Sequence, residues 1–447
     1  MLEPSVAQER AAALVDRARR AGADAADAVY VGDSSESISV RLGKLEDVER
    51  SESEHVALRV FVGGSAASIG SSDLADAALD ELAARAVAMA RAAPEDRFAG
   101  LAPAEMLAGG PLPDLDTVDA AEPSPAQLRE DAAAIEDAAR AVAGVTNSEG
   151  GSASAGRGVF ALATSHGFAG SYCSTSRSVS VSVVAGEGAA MQRDYAWRAA
   201  RHRADLPDAQ ELGTLAGERA VRRLNPERLT SGPASVVFDP RVGGSLVGHL
   251  LGAISGAAIA RGSSFLLGRE DEQLFDTSIA IIDDPHRRRA LRSKPFDGEG
   301  LPTRARALVE AGRLTGWLMD SAAARQLGGA PTGHAARGGG APSIGATNTH
   351  IAPGSVTPAG LIADIADGVY VTELIGQGVN GVTGDYSRGA SGFRIRDGVI
   401  AGPVAEFTVA GNLIDMFRAL SAADDLEWYR AINVPTLRID GMMIAGD

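Results

Sequence analysis

From Pro4 to Gly22 the apolar residues Ala7, Ala11, Leu14, Val15 and Ala18 recur at helical spacing, which predicts an amphipathic helix. The period then drops to two. "DAVYVGD", "SISVRLGKLEDVERS", "HVALRVFVGG" and "SAASIGS" alternate apolar and polar residues between glycines, as hairpin strands do. A second helix is expected from a cap at Ser72 or Asp73 to about Ala92, which completes an α+β unit over residues 1–93. Residues 94–125 turn to proline, glycine and acid and read as a linker or loop. A second helix-and-sheet unit follows over 126–228. Its helices are "SPAQLREDAAAIEDAARAVAG" and "DAQELGTLAGERAVRRLNP", and its strands lie in "GVFALATSHGFAGSYCST" and "SRSVSVSVVAGEG".

Residues 229–447 carry the densest glycine punctuation, and short strands between glycine turns predict a closed or strongly curved sheet. Val242 to Ala260 is uncharged between Arg241 and Arg261. Its glycine, alanine and serine outnumber branched aliphatics, so a buried helix is expected rather than a membrane span. Gly244, Gly248, Gly252, Gly256 and Ala260 recur every four residues, and such a stripe predicts close packing of another element against the helix. The expected fold class is therefore α+β: helix and antiparallel-sheet units, then a glycine-rich, barrel-like β domain with a buried helix.

Composition narrows the function. A net charge of −16 over 447 residues repels phosphate backbones and anionic membranes, so neither nucleic acid nor membrane is an expected partner. One cysteine, Cys173, rules out an internal disulfide; with no basic start and apolar core at the N-terminus, a cytoplasmic location is expected.

Candidate chemistry is sparse. The seven histidines, at 55, 166, 202, 249, 286, 334 and 350, include no pair at the HExxH spacing that sets two imidazoles on one helix face. A complete zinc site from this chain alone is not expected. His166 and His334 sit beside glycines, where a loop could expose them, although a loop histidine bonded to backbone is the commoner case. "GDYSRGASG" is not a nucleophile elbow; it presents Arg388, which could clamp a carboxylate such as a peptide C-terminus, or simply pair with Asp385. "PFDGEG" sets Asp297 and Glu299 two apart, as a cation site or, more commonly, a solvated turn. "HRRR", 286–289, reads as a solvated or partner-facing patch.

Several blocks in order resemble the TldD/PmbA family, and specifically its TldE (PmbA) branch: "FDPRVGGSLVGHLLGAISGAAIARGSSFL", "KPFDGEGLPTR", "PTGHAARGG", "VTELIGQGVNGVTGDYSRGASGF" and "FTVAGNLIDMF". The resemblance implies a zinc-dependent peptidase in which a TldD subunit carries an HExxxH helix and a cysteine ligand. It pairs with a TldE subunit of similar fold, and the pair degrades or matures small or unfolded peptides. An older family label is modulator of DNA gyrase. Matching the family's "HEAVGH" by its "VGH" onto Val247, Gly248 and His249 puts the first histidine on Gly244 and the glutamate on Ser245. Near "FTVAGN" there is no cysteine.

The resemblance thus implies a non-catalytic subunit of a heterodimeric metallopeptidase, with no catalytic residue and no metal in this chain and zinc in the TldD-type partner. It would help form the peptide groove. An extended peptide adding to a sheet edge is the expected geometry, with Asp385, Tyr386, Ser387, Arg388 and His334 as candidate contacts. Two other readings stay open: a self-sufficient peptidase with an unorthodox site around His249, His334 or Arg388, and a regulatory binding module.

Overall fold

The computed structural model describes residues 1–446. Helix α1 (Pro4–Arg20) buries Ala7, Ala11, Leu14, Val15 and Ala18, the five positions that its period selects. Strands β1 (Ala25–Arg41), β2 (Lys44–Val62) and β3 (Ser65–Ser71) follow, then α2 (Asp76–Ala92). The expected cap on α2 is not there. Ala75 takes the N-cap position without a side-chain bond, because Asp73 spends its Oδ1 on the Ala75 N–H in a local turn.

Helix α3 (Pro125–Arg140) starts on a complete capping box between Ser124 and Gln127. Strands β4 (Val145–Thr164), β5 (Ala169–Ala185) and β6 (Gln192–Ala200) and helix α4 (Ala209–Arg222) complete this half. The segment "GVFALATSHGFAGSYCST" spans the end of β4, a turn and the start of β5, which runs on without a break through "SRSVSVSVVA" to Ala185. All six strands form a single antiparallel sheet in the order β3-β2-β1-β4-β5-β6, with β1 and β4 paired from Asp27↔Thr164 to Val40↔Gly151. One face carries α1 and α2 over one part of the sheet and α3 and α4 over the other. Glu136 of α3, fully buried, accepts the N–H groups of Leu42 and Gly43 and so ties the β1–β2 turn to the helix layer. On the opposite face Val29, Ala57 and Leu162 meet Phe168 and Phe296, and this brings the C-terminal half onto the sheet.

In that half β7 (Gly232–Phe238) runs straight into α5 (Pro240–Ala253). Strands β8 (Asp367–Ile375), β9 (Asp385–Arg396), β10 (Val399–Asn412) and β11 (Leu437–Ala445) join β7 in the order β10-β9-β8-β7-β11. Strand β11 pairs back onto β10 through Thr408↔Ala445, Val409↔Ile444 and Ala410↔Met443, which closes a five-stranded barrel. Phe238, Val371, Val409 and Leu437 from these strands share one core with Leu246, Val247 and Leu250 of α5.

The apolar run that contains α5 is not one helix. It breaks at Ile254–Ser255 and resumes as α6 (Gly256–Ala260). The Leu318 carbonyl causes the break: it accepts the Gly256 N–H at 2.7 Å and lies 2.9 Å from where a Cβ on Gly256 would stand. Among the described residues no helix is long and apolar enough to cross a membrane.

"PFDGEG" also departs from expectation. Asp297 and Glu299 are 1% and 3% exposed, not solvated. Asp297 accepts N–H groups of Glu299, Leu301 and Ala335, while Glu299 accepts that of Ser321. Close by, the two halves meet through charge. Asp27 of β1 binds Arg59 of β2 and Arg337, and Glu299 Oε1 stands 3.6 Å from Arg59 Nη2.

Candidate functional site

Helix α5 is anchored at its start, where Asp239 accepts the Arg241 N–H, and it carries His249 about two and a half turns further on. Leu246, Val247 and Leu250 turn into the core. The glycine stripe does not. A Cβ on Gly248 or Gly252 would meet nothing within 4 Å, and one on Gly244 would touch only Ile432, at an ordinary 3.5 Å. Close packing, expected along the whole stripe, is found at Gly256 alone, where the chain has left α5.

Strand β9 faces this helix. Its register sets Tyr386 opposite Gly411 and Arg388 opposite Val409, so the "FTVAGN" strand lies directly beside them. Alternation along the strand sends Tyr386 and Arg388 to one side and Asp385 and Ser387 to the other. The Tyr386 ring is 1% exposed and meets the His249 ring edge to face at 6.0 Å. An Asp385–Arg388 pair, one of the two readings of this turn, does not form, for the same reason of parity. Asp385 is instead held by Thr383 at 2.6 Å and Asn412 at 3.4 Å, and Arg388 Nη2 donates to the Leu374 carbonyl at 3.4 Å. Ser387 is exposed; its N–H binds Gly378 O at 2.7 Å, which folds the 376–384 loop back along β9.

Three buried polar atoms at this place have no hydrogen-bond partner among the described residues: His249 Nε2, Tyr386 Oη and Arg388 Nε. Burial, reinforced by the Arg388 charge, holds the His249 pKa below its ordinary value, so the ring is neutral at pH 7. Burial pushes the Tyr386 hydroxyl up to about 12, although Arg388 opposes it, so the phenol keeps its proton. The site therefore offers a fixed cation, a phenol and a neutral imidazole on one wall.

These residues do not make a zinc-binding set. Gly244 has no side chain, and Ser245 Oγ is turned back to the Val242 carbonyl at 2.7 Å. The neighbouring charge is a guanidinium, which repels a metal ion. Among the described residues no group of three or more His, Cys, Asp or Glu is gathered as metal ligands would be.

His334 stands elsewhere. It is 3% exposed, with Nδ1 2.9 Å from Thr332 Oγ1 and Nε2 3.4 Å from Asp283 Oδ2; neither partner belongs to β9. His166 is bonded to Ala102 O and Thr164. The "HRRR" run is largely neutralised: Arg288 and Arg289 pair with Asp114, Asp116 and Asp205, and Arg287 stacks over Trp428. The nearness of His249 to Tyr386 was not read from sequence, although strand parity already separates Tyr386 and Arg388 from Asp385 and Ser387.

Three family models match the chain in order: PmbA/TldA metallopeptidase domain 1 over residues 26–90, the central domain over 119–224 and the C-terminal domain over 231–446. The chain belongs to the PmbA/TldD metallopeptidase family. Within it the PmbA branch is indicated by Metalloprotease PmbA of Escherichia coli O157:H7, which is 39% identical over 412 residues, 92% of this chain and 90% of that protein. A crystal structure from Bacteroides thetaiotaomicron, described as a modulator of DNA gyrase, superposes with a TM-score of 0.91 at 27% identity, covering 98% of this chain and 99% of that one. TldE from Thermococcus kodakarensis shares the fold, with a TM-score of 0.86 at 22% identity over 97% and 99% of the two chains.

Proposed function

We propose that this chain is the non-catalytic, TldE-type subunit of a two-chain zinc metallopeptidase that acts on small or unfolded peptides. In this reading the TldD-type partner holds the zinc, and this chain holds none and supplies one wall of the peptide groove. The observation that carries the reading is the make-up of α5: at the positions aligned with the family's zinc motif, His249 is the one remaining ligand type, Gly244 offers no donor, and Ser245 bonds its own helix. Hydrolysis at zinc needs enough ligands to hold the ion and a base to activate its water. Neither is assembled around His249. A net charge of −16 favours peptide over nucleic acid as the ligand, and the single cysteine suits the cytoplasm.

The test is purification of the full chain alone and together with a TldD-type subunit from the same organism. The expected result is co-elution of the two chains, with stoichiometric zinc and peptidase activity only in the pair. His249→Ala in this chain should leave the zinc content of the pair unchanged. Stoichiometric zinc and peptide cleavage by this chain alone would refute the proposal.

A further inference from the structure

The glycine stripe of α5 and the inward face of β9 leave one feature unexplained by packing. Gly248 and Gly252 lie open, with nothing among the described residues within 4 Å of a Cβ, while His249, next to Gly248 in the helix, and Tyr386 and Arg388 of β9 carry the buried, unpartnered atoms Nε2, Oη and Nε. An unsatisfied buried donor costs about 1–3 kcal/mol, more when charged, so three in one place call for an acceptor from outside the chain. Arg388 Nε–H is only a donor, and the protonated phenol of Tyr386 has its O–H to give. A neutral His249 can also donate, from whichever ring nitrogen carries the proton. Two donors, one of them a fixed cation, joined by His249 Nε2 in the tautomer that carries its proton there, select an anion with several acceptor lone pairs. Among the described residues the Arg388 guanidinium makes one bond, to Leu374 O at 3.4 Å, which is long, and Asp385 is occupied by Thr383 and Asn412 on the other side of the strand.

We infer that His249, Tyr386 and Arg388 together form a carboxylate-binding site for a peptide lying along the glycine stripe of α5. The site rests on the groove-wall reading above and gives it a ligand class. Arg388 supplies the charge, Tyr386 a directed O–H, and His249 a ring donor whose edge-to-face contact with Tyr386 fixes both rings. The absent side chains at Gly248 and Gly252 let the peptide backbone approach the helix closely. The carboxylate is either the peptide C-terminus or an acidic side chain within it.

Calorimetric titration tests this with three probes: penta-alanine with a free C-terminus, its C-terminal amide, and the amide with a central aspartate. Each is titrated into the full chain, and into the chain mixed with a TldD-type partner under chelator so that nothing is cleaved. At least one carboxylate probe should bind about tenfold or more tighter than the plain amide, the yield of one charge-assisted hydrogen bond. The preferred probe distinguishes a terminal from a side-chain carboxylate. Arg388→Gln and the isosteric Tyr386→Phe should each shrink that preference several-fold, and circular dichroism should show both variants folded. Equal binding of acid and amide, no binding in either preparation, or a preference that survives in a folded Tyr386→Phe chain would overturn the site. Failure of the chain to pair with a TldD-type subunit would instead count against the proposed function, because the titration of the chain alone does not depend on pairing.

Discussion

Replacing Asp27 with Asn tests whether charge locks the two halves of the molecule together. Asp27 is 1% exposed; its Oδ2 accepts from Arg59 Nε at 2.9 Å, its Oδ1 faces the Arg337 guanidinium, and Glu299 stands 3.6 Å from Arg59. Two guanidiniums thus face two carboxylates in a buried cluster of which only Arg59 keeps a small solvent exposure. D27N keeps the shape and removes one negative charge, which leaves Arg337 without its counterion. Breaking a buried pair in this way costs about 3–5 kcal/mol. At roughly 2 °C per kcal/mol, the figure for larger domains, the apparent Tm at pH 7 should fall by about 6–10 °C in scanning calorimetry. The effect also has a sign in pH. Burial raises the Asp27 pKa, but the Arg337 and Arg59 charges outweigh it and hold the carboxyl below its ordinary value. The stabilisation is therefore full above the unfolded carboxylate pKa of about 3.9 and is lost as pH falls through the lower, folded value. D27N should flatten that part of the acid-unfolding curve. A Tm change under about 2 °C, with an unaltered acid arm, would refute the reasoning.

Other consequences are checked as directly. Gly378→Ala puts a Cβ 1.9 Å from the Ser387 carbonyl, so the 376–384 loop should detach from β9, seen as loss of protection of the Ser387 amide in hydrogen exchange. Ser124→Ala removes the capping box of α3 and should cost about 1 kcal/mol in urea unfolding. Asp283→Asn takes an acceptor from the hydroxyls of Thr347 and Thr349, both bonded at 2.8 Å in a buried site, and should cost about 1–3 kcal/mol in the same assay. Burial raises the Asp283 pKa, but bonds from His334, Thr347 and Thr349 bring it below the ordinary value, so its share of stability also disappears as pH falls.

Much of this architecture was legible in the sequence because period and punctuation are local properties. The spacing of Ala7, Leu14 and Ala18 marks the buried face of α1, and glycine-bounded alternation marks the hairpins. Capping chemistry was misleading at Asp73, whose carboxylate is captured by a nearer N–H, and the box at Ser124 was found only in the structure. What stayed hidden depends on distant partners. Nothing near Gly256 in sequence announces Leu318, whose carbonyl ends the helix, and nothing near "PFDGEG" announces the sheet that buries it. At the candidate site the residue types were visible and their company was not. Arg388 three residues from Asp385 in sequence suggests an ion pair, whereas strand parity parts them and delivers Tyr386 and Arg388 to the side of His249.

Gly248 and Gly252 make α5 a helix that forgoes stability it could have. Each costs about 1 kcal/mol relative to alanine, and no contact among the described residues repays it, since the space beside both is open. Alanine at either position should therefore stabilise the isolated protein. Any loss of function that accompanies that gain would measure the thickness of whatever must pass between the helix and its neighbour, with the methyl group as the gauge.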